Sequence, residues 1–181
     1  EGYTNSQGID LSKEQLEVAG RLGLRNVEHA DLFRYLPGRR EEYDVVFAND
    51  IIEHLTKDEV VEFLDLVYAS LKPGGTAVIG TVNASSLFGS RVFHIDFTHE
   101  TCFTAESLSQ VMRVCGFDPA EVYGEKPLVR DLRSAVRAGL WWGVKKLLNV
   151  YRLIQDGTGR GLYGREVILE PRMFAVGRKA R

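Results

Sequence analysis

The sequence YDVVFANDIIEHL, residues 43–55, decides the fold of this chain. Its apolar centre, 45–48, is short and contains β-branched residues, which is typical of a strand covered on both faces. Asn49 and Asp50 follow at the end of that strand, and a helix is predicted to begin near Ile51. In an open parallel α/β sheet the carboxyl ends of the strands border the ligand crevice. The two polar residues are therefore predicted to lie at a binding site, although either could instead cap the helix.

Four other segments accompany this one in a fixed order: GIDLS at 8–12, ADL at 30–32, LKPGG at 71–75 and DFTHETCFT at 96–104. With them, residues 8–117 resemble the class I S-adenosylmethionine-dependent methyltransferases. The last segment resembles a subgroup associated with bacterial glycan and cell-surface synthesis. The resemblance implies an α/β, Rossmann-like, mostly parallel sheet with an antiparallel last strand and a helical insertion before it. It also implies methyl transfer with S-adenosylmethionine as the cofactor.

The start of the chain departs from the family pattern. In such sheets the acidic residue that binds the ribose lies about 20 residues after a glycine-rich turn, but Asp10 has only nine residues before it. The first strand and its glycine loop are therefore expected to be missing, which would leave two strands with unpaired edges. An upstream piece or another molecule is expected to cover that gap. The chain is interpreted as one N-terminally truncated domain, 1–181, with a helical lid or insertion at 125–165.

Composition is that of an ordinary globular domain. The 181 residues are 44% apolar and 27% charged, and the formal net charge is −2, so nothing favours nucleic-acid binding over the whole surface. Cys102 and Cys115 are too few for a disulfide framework, and neither a signal peptide nor an 18-residue apolar run is present. These features predict a cytoplasmic location, with peripheral membrane contact as one variant.

Local patterns predict the elements that follow. Strands are expected at 26–30, 77–82, 121–123 and 173–177, the last at the sheet edge, and helices are expected from Ser12, over 58–71 and over 104–115. Residues 128–154 are expected to form two helices divided near Gly139 or Gly143.

The resemblance assigns cofactor contacts to five residues. Asp10 would accept hydrogen bonds from the ribose hydroxyls, and Leu11 would lie against the adenine. Asp31 would accept from the adenine amine while the backbone N–H of Leu32 donates to a ring nitrogen. Asn49 would contact the amino-acid half of the cofactor. The alternatives are turn or loop aspartates at 10 and 31, and a capping residue at 49.

An alcohol acceptor must lose a proton as its new bond forms, and histidine suits that role because its pKa is near neutrality. His99 is the first candidate base, since Asp96 is close enough in sequence to orient its ring. His54 is the second candidate, although packing of a helix onto the sheet would explain it equally. Asp96, His99 and Glu100 have donor atoms suited to a metal, but they are crowded on one loop, so no metal site is predicted.

Residues 128–154 form the second informative region. They carry six cationic side chains against one acid, Asp131, a local charge of +5, interleaved with apolar residues that include Trp141 and Trp142. Such a helix can lie on an anionic membrane or cover a lipid-linked substrate. A lid or homodimer face with its apolar side buried against protein is the favoured alternative.

Three classes of function fit these observations. The first is O-methylation of a sugar, glycan or cell-surface precursor. The second is methylation of a small aromatic or quinone-like metabolite, with the Trp141–Trp142 helix as the roof of the acceptor site. The third is a non-catalytic binding module, because the glycine loop is absent from the sequence.

Overall fold

A computed structural model describes residues 5–157 and 167–181. It contains six strands: β1 (Gly8–Asp10), β2 (Val27–His29), β3 (Tyr43–Asn49), β4 (Leu71–Val82), β5 (Ala120–Gly124) and β6 (Arg172–Arg178). Its α-helices are α1 (Lys13–Arg21), α2 (Leu32–Tyr35), α3 (Lys57–Ser70), α4 (Gly89–His94), α5 (Ala105–Val114) and α6 (Leu132–Asp156). Short 3₁₀ turns cover Leu36–Gly38 and Ile52–His54.

The strands form two sheets. β1 and β2 pair in parallel, and a second sheet has the order β3-β4-β6-β5, in which β3 and β4 are parallel and β6 is antiparallel to both of its neighbours. The predicted α/β class, with a mostly parallel arrangement and an antiparallel last strand, is confirmed. The predicted edge position of the last strand is wrong, because β6 lies between β4 and β5 and hydrogen-bonds to both.

Strand β3 is open on one face. Val45 and Phe47 are 59% and 63% exposed, whereas Val46 and Ala48 point to the other face and pack against the core. The prediction that this strand is covered on both faces was therefore wrong for this chain. Among the described residues β3 is the edge strand of its sheet, and the core packs only on the face that carries Val46 and Ala48. The face that carries Val45 and Phe47 is therefore left exposed.

The core lies between the four-stranded sheet and helices α3 and α5. Helix α3 buries Val60, Phe63, Leu64 and Val67 at helical spacing. Its start is fixed by a capping box in which Thr56 and Glu59 exchange hydrogen bonds. The predicted helix at 58–71 is thus confirmed within one residue at each end. The helix predicted to begin near Ile51 is not observed there, because the chain forms a 3₁₀ turn at Ile52–His54 and the helix begins only at Lys57.

Helix α6 is continuous over 25 residues, so the predicted break near Gly139 or Gly143 was wrong. Two interior glycines cost about 1 kcal/mol each relative to alanine, but most of the other residues are helix formers and the ends are well capped. Asp131 accepts from the backbone N–H of Ser134, and Gly157 ends the helix at φ 73°. Residues 158–165 of the predicted insertion lie outside the described residues. The described helices include none that is long and apolar enough to cross a membrane.

Candidate functional site at the carboxyl ends of the strands

Asp10 and Leu11 lie at the carboxyl end of β1. Asp10 is exposed, and its Oδ1 accepts a hydrogen bond of 2.7 Å from the backbone N–H of Ser12. Its Oδ2 accepts none from the described residues, so one carboxylate oxygen remains open to a ligand. Leu11 is 60% exposed, and its carbonyl is held by Nε2 of His29 at 2.9 Å. An open carboxylate oxygen beside an exposed apolar side chain fits a ribose and a base.

Asp31 lies at the matching end of β2. Its carboxylate caps helix α2, accepting from the backbone N–H groups of Phe33 at 2.8 Å and Arg34 at 3.3 Å. The backbone N–H of Leu32 lies in the first turn of that helix, where such groups have no intrahelical acceptor. Asp31 is therefore a helix cap in this structure, and its predicted adenine contact stays a prediction, as does that of Leu32.

Asn49 and Asp50 are bound by Arg172, a residue that sequence reasoning missed. Nη2 of Arg172 donates to Oδ1 of Asn49 at 2.9 Å and to both oxygens of Asp50 at 2.8 Å. Asp50 has φ 55°, a left-handed conformation that is uncommon outside glycine. Neither side chain caps the following 3₁₀ turn. Arg172 opens β6, far away in the sequence, so only the register of the antiparallel strand brings it to the tip of β3.

The loop at 96–101 is fastened onto the 3₁₀ turn that follows β3. The backbone carbonyl of Glu53 accepts from the backbone N–H groups of Glu100 at 2.8 Å and Thr101 at 3.0 Å. The hydroxyl of Thr101 donates to the carbonyl of Leu55 at 2.7 Å. These three bonds place the loop histidine, His99, beside the turn histidine, His54, with ring centroids 4.8 Å apart.

Each of these two histidines has its Nδ1 occupied. Nδ1 of His99 lies 2.7 Å from the carbonyl of Phe93, which can only accept, so this nitrogen carries the proton. Nδ1 of His54 lies 2.9 Å from the hydroxyl of Thr98, and that hydroxyl donates to Asp96 at 2.7 Å. The Nε2 atom of each ring is left with its lone pair.

The role predicted for Asp96 needs correction. Asp96 orients His54 through the hydroxyl of Thr98, while a backbone carbonyl orients His99. The hydrogen bonds from Thr98 also lower the pKa of the Asp96 carboxyl. The spacing of Asp96 and His99 in the sequence did not reveal this, because the loop turns Thr98 toward the preceding element.

Glu53 completes this cluster and was not predicted. It is 1% exposed, and its Oε2 accepts a hydrogen bond of 2.8 Å from the hydroxyl of Thr81. Burial raises the pKa of its carboxyl, an effect that the bond from Thr81 opposes. One donor atom each of Glu53, His54 and His99 lies within 4.8 Å of the other two.

A family model matches the first part of the chain. Residues 2–77 match the family model described as a methyltransferase domain. No curated protein matches the chain in sequence. The resemblance predicted from the motifs is confirmed at this level, while the glycan subgroup stays a prediction.

Solved structures extend the likeness to the whole chain. A SAM-dependent methyltransferase from Archaeoglobus fulgidus has a TM-score of 0.68 at 21% identity, covering 96% of this chain and 76% of that one. A SAM-dependent methyltransferase from Thermotoga maritima, described as a possible histamine N-methyltransferase, has a TM-score of 0.63 at 19% identity and coverages of 95% and 72%. An O-methyltransferase family protein from Burkholderia thailandensis has a TM-score of 0.55 at 15% identity and coverages of 96% and 42%. The shared fold is thus compatible with more than one acceptor.

A substitution at Gly80 tests the packing of the β3 tip. A Cβ atom there would collide with Oδ1 of Asn49 and would lie 2.7 Å from a ring carbon of Phe174. Gly80→Ala should therefore lower the free energy of unfolding by about 1–3 kcal/mol, as overpacking does. Gly139→Ala is the control, because nothing lies within 4 Å of its Cβ and the helix should gain up to about 1 kcal/mol. Chemical denaturation measures both, and equal stability of the two variants would contradict this description of the tip.

Proposed function

We propose that this protein, which has the fold of S-adenosylmethionine-dependent methyltransferases, methylates a hydroxyl group of a sugar, glycan or related cell-surface precursor. The main support for this proposal is the pair His54 and His99. Their rings lie side by side, each Nδ1 has a hydrogen-bond partner, and each Nε2 remains available to a ligand. When bound, S-adenosylmethionine supplies an electrophilic methyl group on a sulfonium. The residues of the chain then have to bind the reactants, align them and accept the proton of the hydroxyl.

The cofactor-binding site, called the cofactor seat below, is proposed to lie at the carboxyl ends of β1, β2 and β3. The open oxygen of Asp10 accepts from the ribose, and the exposed side chain of Leu11 covers one face of the adenine. The first-turn N–H of Leu32 donates to the base beside Asp31. Asn49 faces the amino-acid portion, held in place by Arg172.

Substitution of Asp10 tests this seat. Asp10→Asn keeps an oxygen for the backbone N–H of Ser12 but removes the negative charge, and a charge-assisted hydrogen bond is worth about 1.5–3 kcal/mol. The affinity for S-adenosylmethionine should fall roughly 10- to 100-fold. Titration calorimetry measures it, with Glu14→Gln on the neighbouring helix as a charge-matched control. Unchanged affinity would remove Asp10 from the site, and an absence of binding by the unmodified protein would favour a binding module that lacks this cofactor.

His99 is proposed to accept the proton of the acceptor hydroxyl. Its Nδ1 is fixed by the carbonyl of Phe93, so Nε2 is the basic atom, and the ring cannot rotate without breaking that bond. His54 is proposed to contact the same hydroxyl from the other side, with its ring fixed by Thr98 and Asp96. Two imidazoles held side by side can contact and deprotonate a weakly acidic alcohol, whose proton must leave as its new bond forms.

Two similarities support the acceptor class. The segment at 96–104 resembles the glycan-associated subgroup, and one structure with this fold belongs to an O-methyltransferase family. The runner-up acceptor is a small aromatic or quinone-like metabolite under the Trp141–Trp142 helix. Trp142 is 63% exposed, so among the described residues this tryptophan is not enclosed as part of an acceptor roof. That exposure favours the glycan precursor.

Labelled methyl transfer tests the acceptor. The purified protein, incubated with S-adenosylmethionine carrying a labelled methyl group, should label sugar or glycan precursors and not quinone precursors. His99→Ala should slow that transfer about 10²- to 10⁴-fold with little change in cofactor affinity, the range for general acid–base groups. His94→Ala is the control, since His94 is an exposed residue of α4. Labelling of quinones alone would refute this acceptor class, and an equal loss of turnover and affinity would make His99 structural.

Helix α6 is proposed to lie on an anionic membrane surface, where a lipid-linked precursor would be presented. Seven residues at spacings of three or four form an exposed apolar stripe along the whole helix: Leu132, Val136, Leu140, Val144, Leu147, Tyr151 and Ile154. Their exposed fractions run from 39% to 81%. Arg133 and Arg137 follow stripe residues directly and border the stripe. An apolar stripe bordered by cations fits the interface of an anionic bilayer.

The opposite side of α6 is tied to the body of the protein. Nζ of Lys145 pairs with Oε1 of Glu170 at 2.8 Å. Burial by itself raises the pKa of the Glu170 carboxyl, but the hydrogen bond and positive charge of Lys145 help to outweigh it, so that the pKa is lowered. The apolar stripe therefore faces away from the sheet, which argues against a lid that buries it within this chain. A second copy of the chain would be the other possible occupant.

Vesicle binding distinguishes the two occupants. The protein should sediment with vesicles of phosphatidylglycerol and phosphatidylcholine, and the double variant Leu140→Asp, Leu147→Asp should lose most of that binding because it puts two charges into the stripe. Val114→Asp is the control, at an exposed residue of α5. Retained vesicle binding by the double variant would overturn the proposal. A dimer that the double variant dissociates, without vesicle binding by the unmodified protein, would assign the stripe to a second copy.

A further inference from the structure

We propose that Glu53, His54 and His99 bind a divalent transition-metal ion. One donor atom of each residue lies within 4.8 Å of the others, and no hydrogen bond or ion pair joins these three side chains among the described residues. Two imidazoles and one carboxylate are a donor set used for zinc and for non-haem iron. The three donor atoms are therefore close enough together to share one ion.

The carboxylate of Glu53 supplies an independent reason for a cation. It is 1% exposed, and burying a carboxylate is costly unless it is paired. In the part of the chain that the structure describes, no lysine or arginine forms an ion pair with it. The hydroxyl of Thr81 satisfies one oxygen, Oε2, at 2.8 Å. A metal ion would provide the missing positive charge.

The hydrogen bonds behind both histidines are those of metal ligands. Ligating histidines generally donate their second ring N–H to a carbonyl or carboxylate, which fixes the tautomer and the direction of the ring. His99 does so to the carbonyl of Phe93, and His54 does so through the hydroxyl of Thr98 to Asp96. Both rings are therefore preset with Nε2 free for coordination.

The cluster must contract slightly to bind. Bonds of about 2.0–2.2 Å to zinc place its ligands about 3.3–3.6 Å apart in a tetrahedron, so donors separated by up to 4.8 Å would each move inward by a fraction of an ångström. His54 and His99 are only half-buried, so their rings have room for this movement. Glu53 is held by its neighbours and sets the position of the ion.

Three protein ligands leave coordination positions open. If the proposed function holds, an open position would be available to the oxygen of the acceptor hydroxyl, and a bound ion would supply Lewis-acid chemistry by lowering the pKa of that hydroxyl. With an ion bound, the two Nε2 atoms would serve as its ligands, and the proton-accepting role proposed above for His99 would belong to the metal-free protein. His99→Ala slows transfer in either case, so metal binding needs a measurement of its own.

Binding of metal alone tests the site. Protein dialysed against a chelator is titrated with Zn²⁺ in a calorimeter, and its Co²⁺ form is examined by visible absorption. We expect zinc binding to saturate at one ion per protein chain. The visible absorption bands of the Co²⁺ form should be those of a cobalt ion with a low coordination number. Glu53→Gln and His99→Ala should each weaken binding at least tenfold, and glutamine at 53 can still accept from Thr81, which preserves the fold; melting curves check this.

Three controls exclude other zinc ligands. His94→Ala and His29→Ala remove the remaining histidines, and Cys102→Ser removes an exposed thiol three residues from His99. All three variants should bind zinc as the unmodified protein does. No saturable binding, or equal binding by Glu53→Gln, would overturn the site. S-adenosylmethionine affinity is measured on the same metal-free protein, so a failure of the cofactor seat and a failure of the metal site are separate results.

Discussion

The backbone carbonyl of Glu53 is the constraint on which the site depends. It accepts two N–H groups from the loop at 96–101 and so fastens that loop onto the turn after β3. The side chain of the same residue points into the core, where Thr81 of β4 holds it. One residue therefore joins the central strands, the turn and the loop. Together with the bond from Thr101 to Leu55, that junction holds His99 beside His54.

The carboxyl ends of the strands carry a second set of constraints. Arg172 binds Asn49 and Asp50 together, and the absence of a side chain at Gly80 lets Asn49 and Phe174 approach the sheet. Antiparallel pairing of β6 with β4 sets Arg172 opposite Val82. The proposed cofactor contact of Asn49 therefore depends on the register of β3, β4 and β6, and β6 is distant from the other two strands in sequence.

The exposed surface of α6 shows how a helix can be amphipathic without using its apolar side for folding. Lys145 and Glu170 attach its polar side to the body, while the stripe from Leu132 to Ile154 stays in solvent. A helix normally hides such a stripe against its own core. In α6 the polar side faces the body of the protein and the apolar side faces solvent, and this arrangement favours an external partner over a lid.

The sequence by itself determined the α/β class, the methyltransferase resemblance and most of the elements, because buried strands, caps and helical stripes are local patterns. It also indicated Asp10 and His99 as chemistry-bearing residues. Tertiary structure alone decided that Glu53 joins the two histidines, that Arg172 binds the β3 tip, that β6 is not an edge strand and that α6 has no break. Each of these depends on strand register or on packing between distant segments, and such contacts leave no periodic signal in the chain.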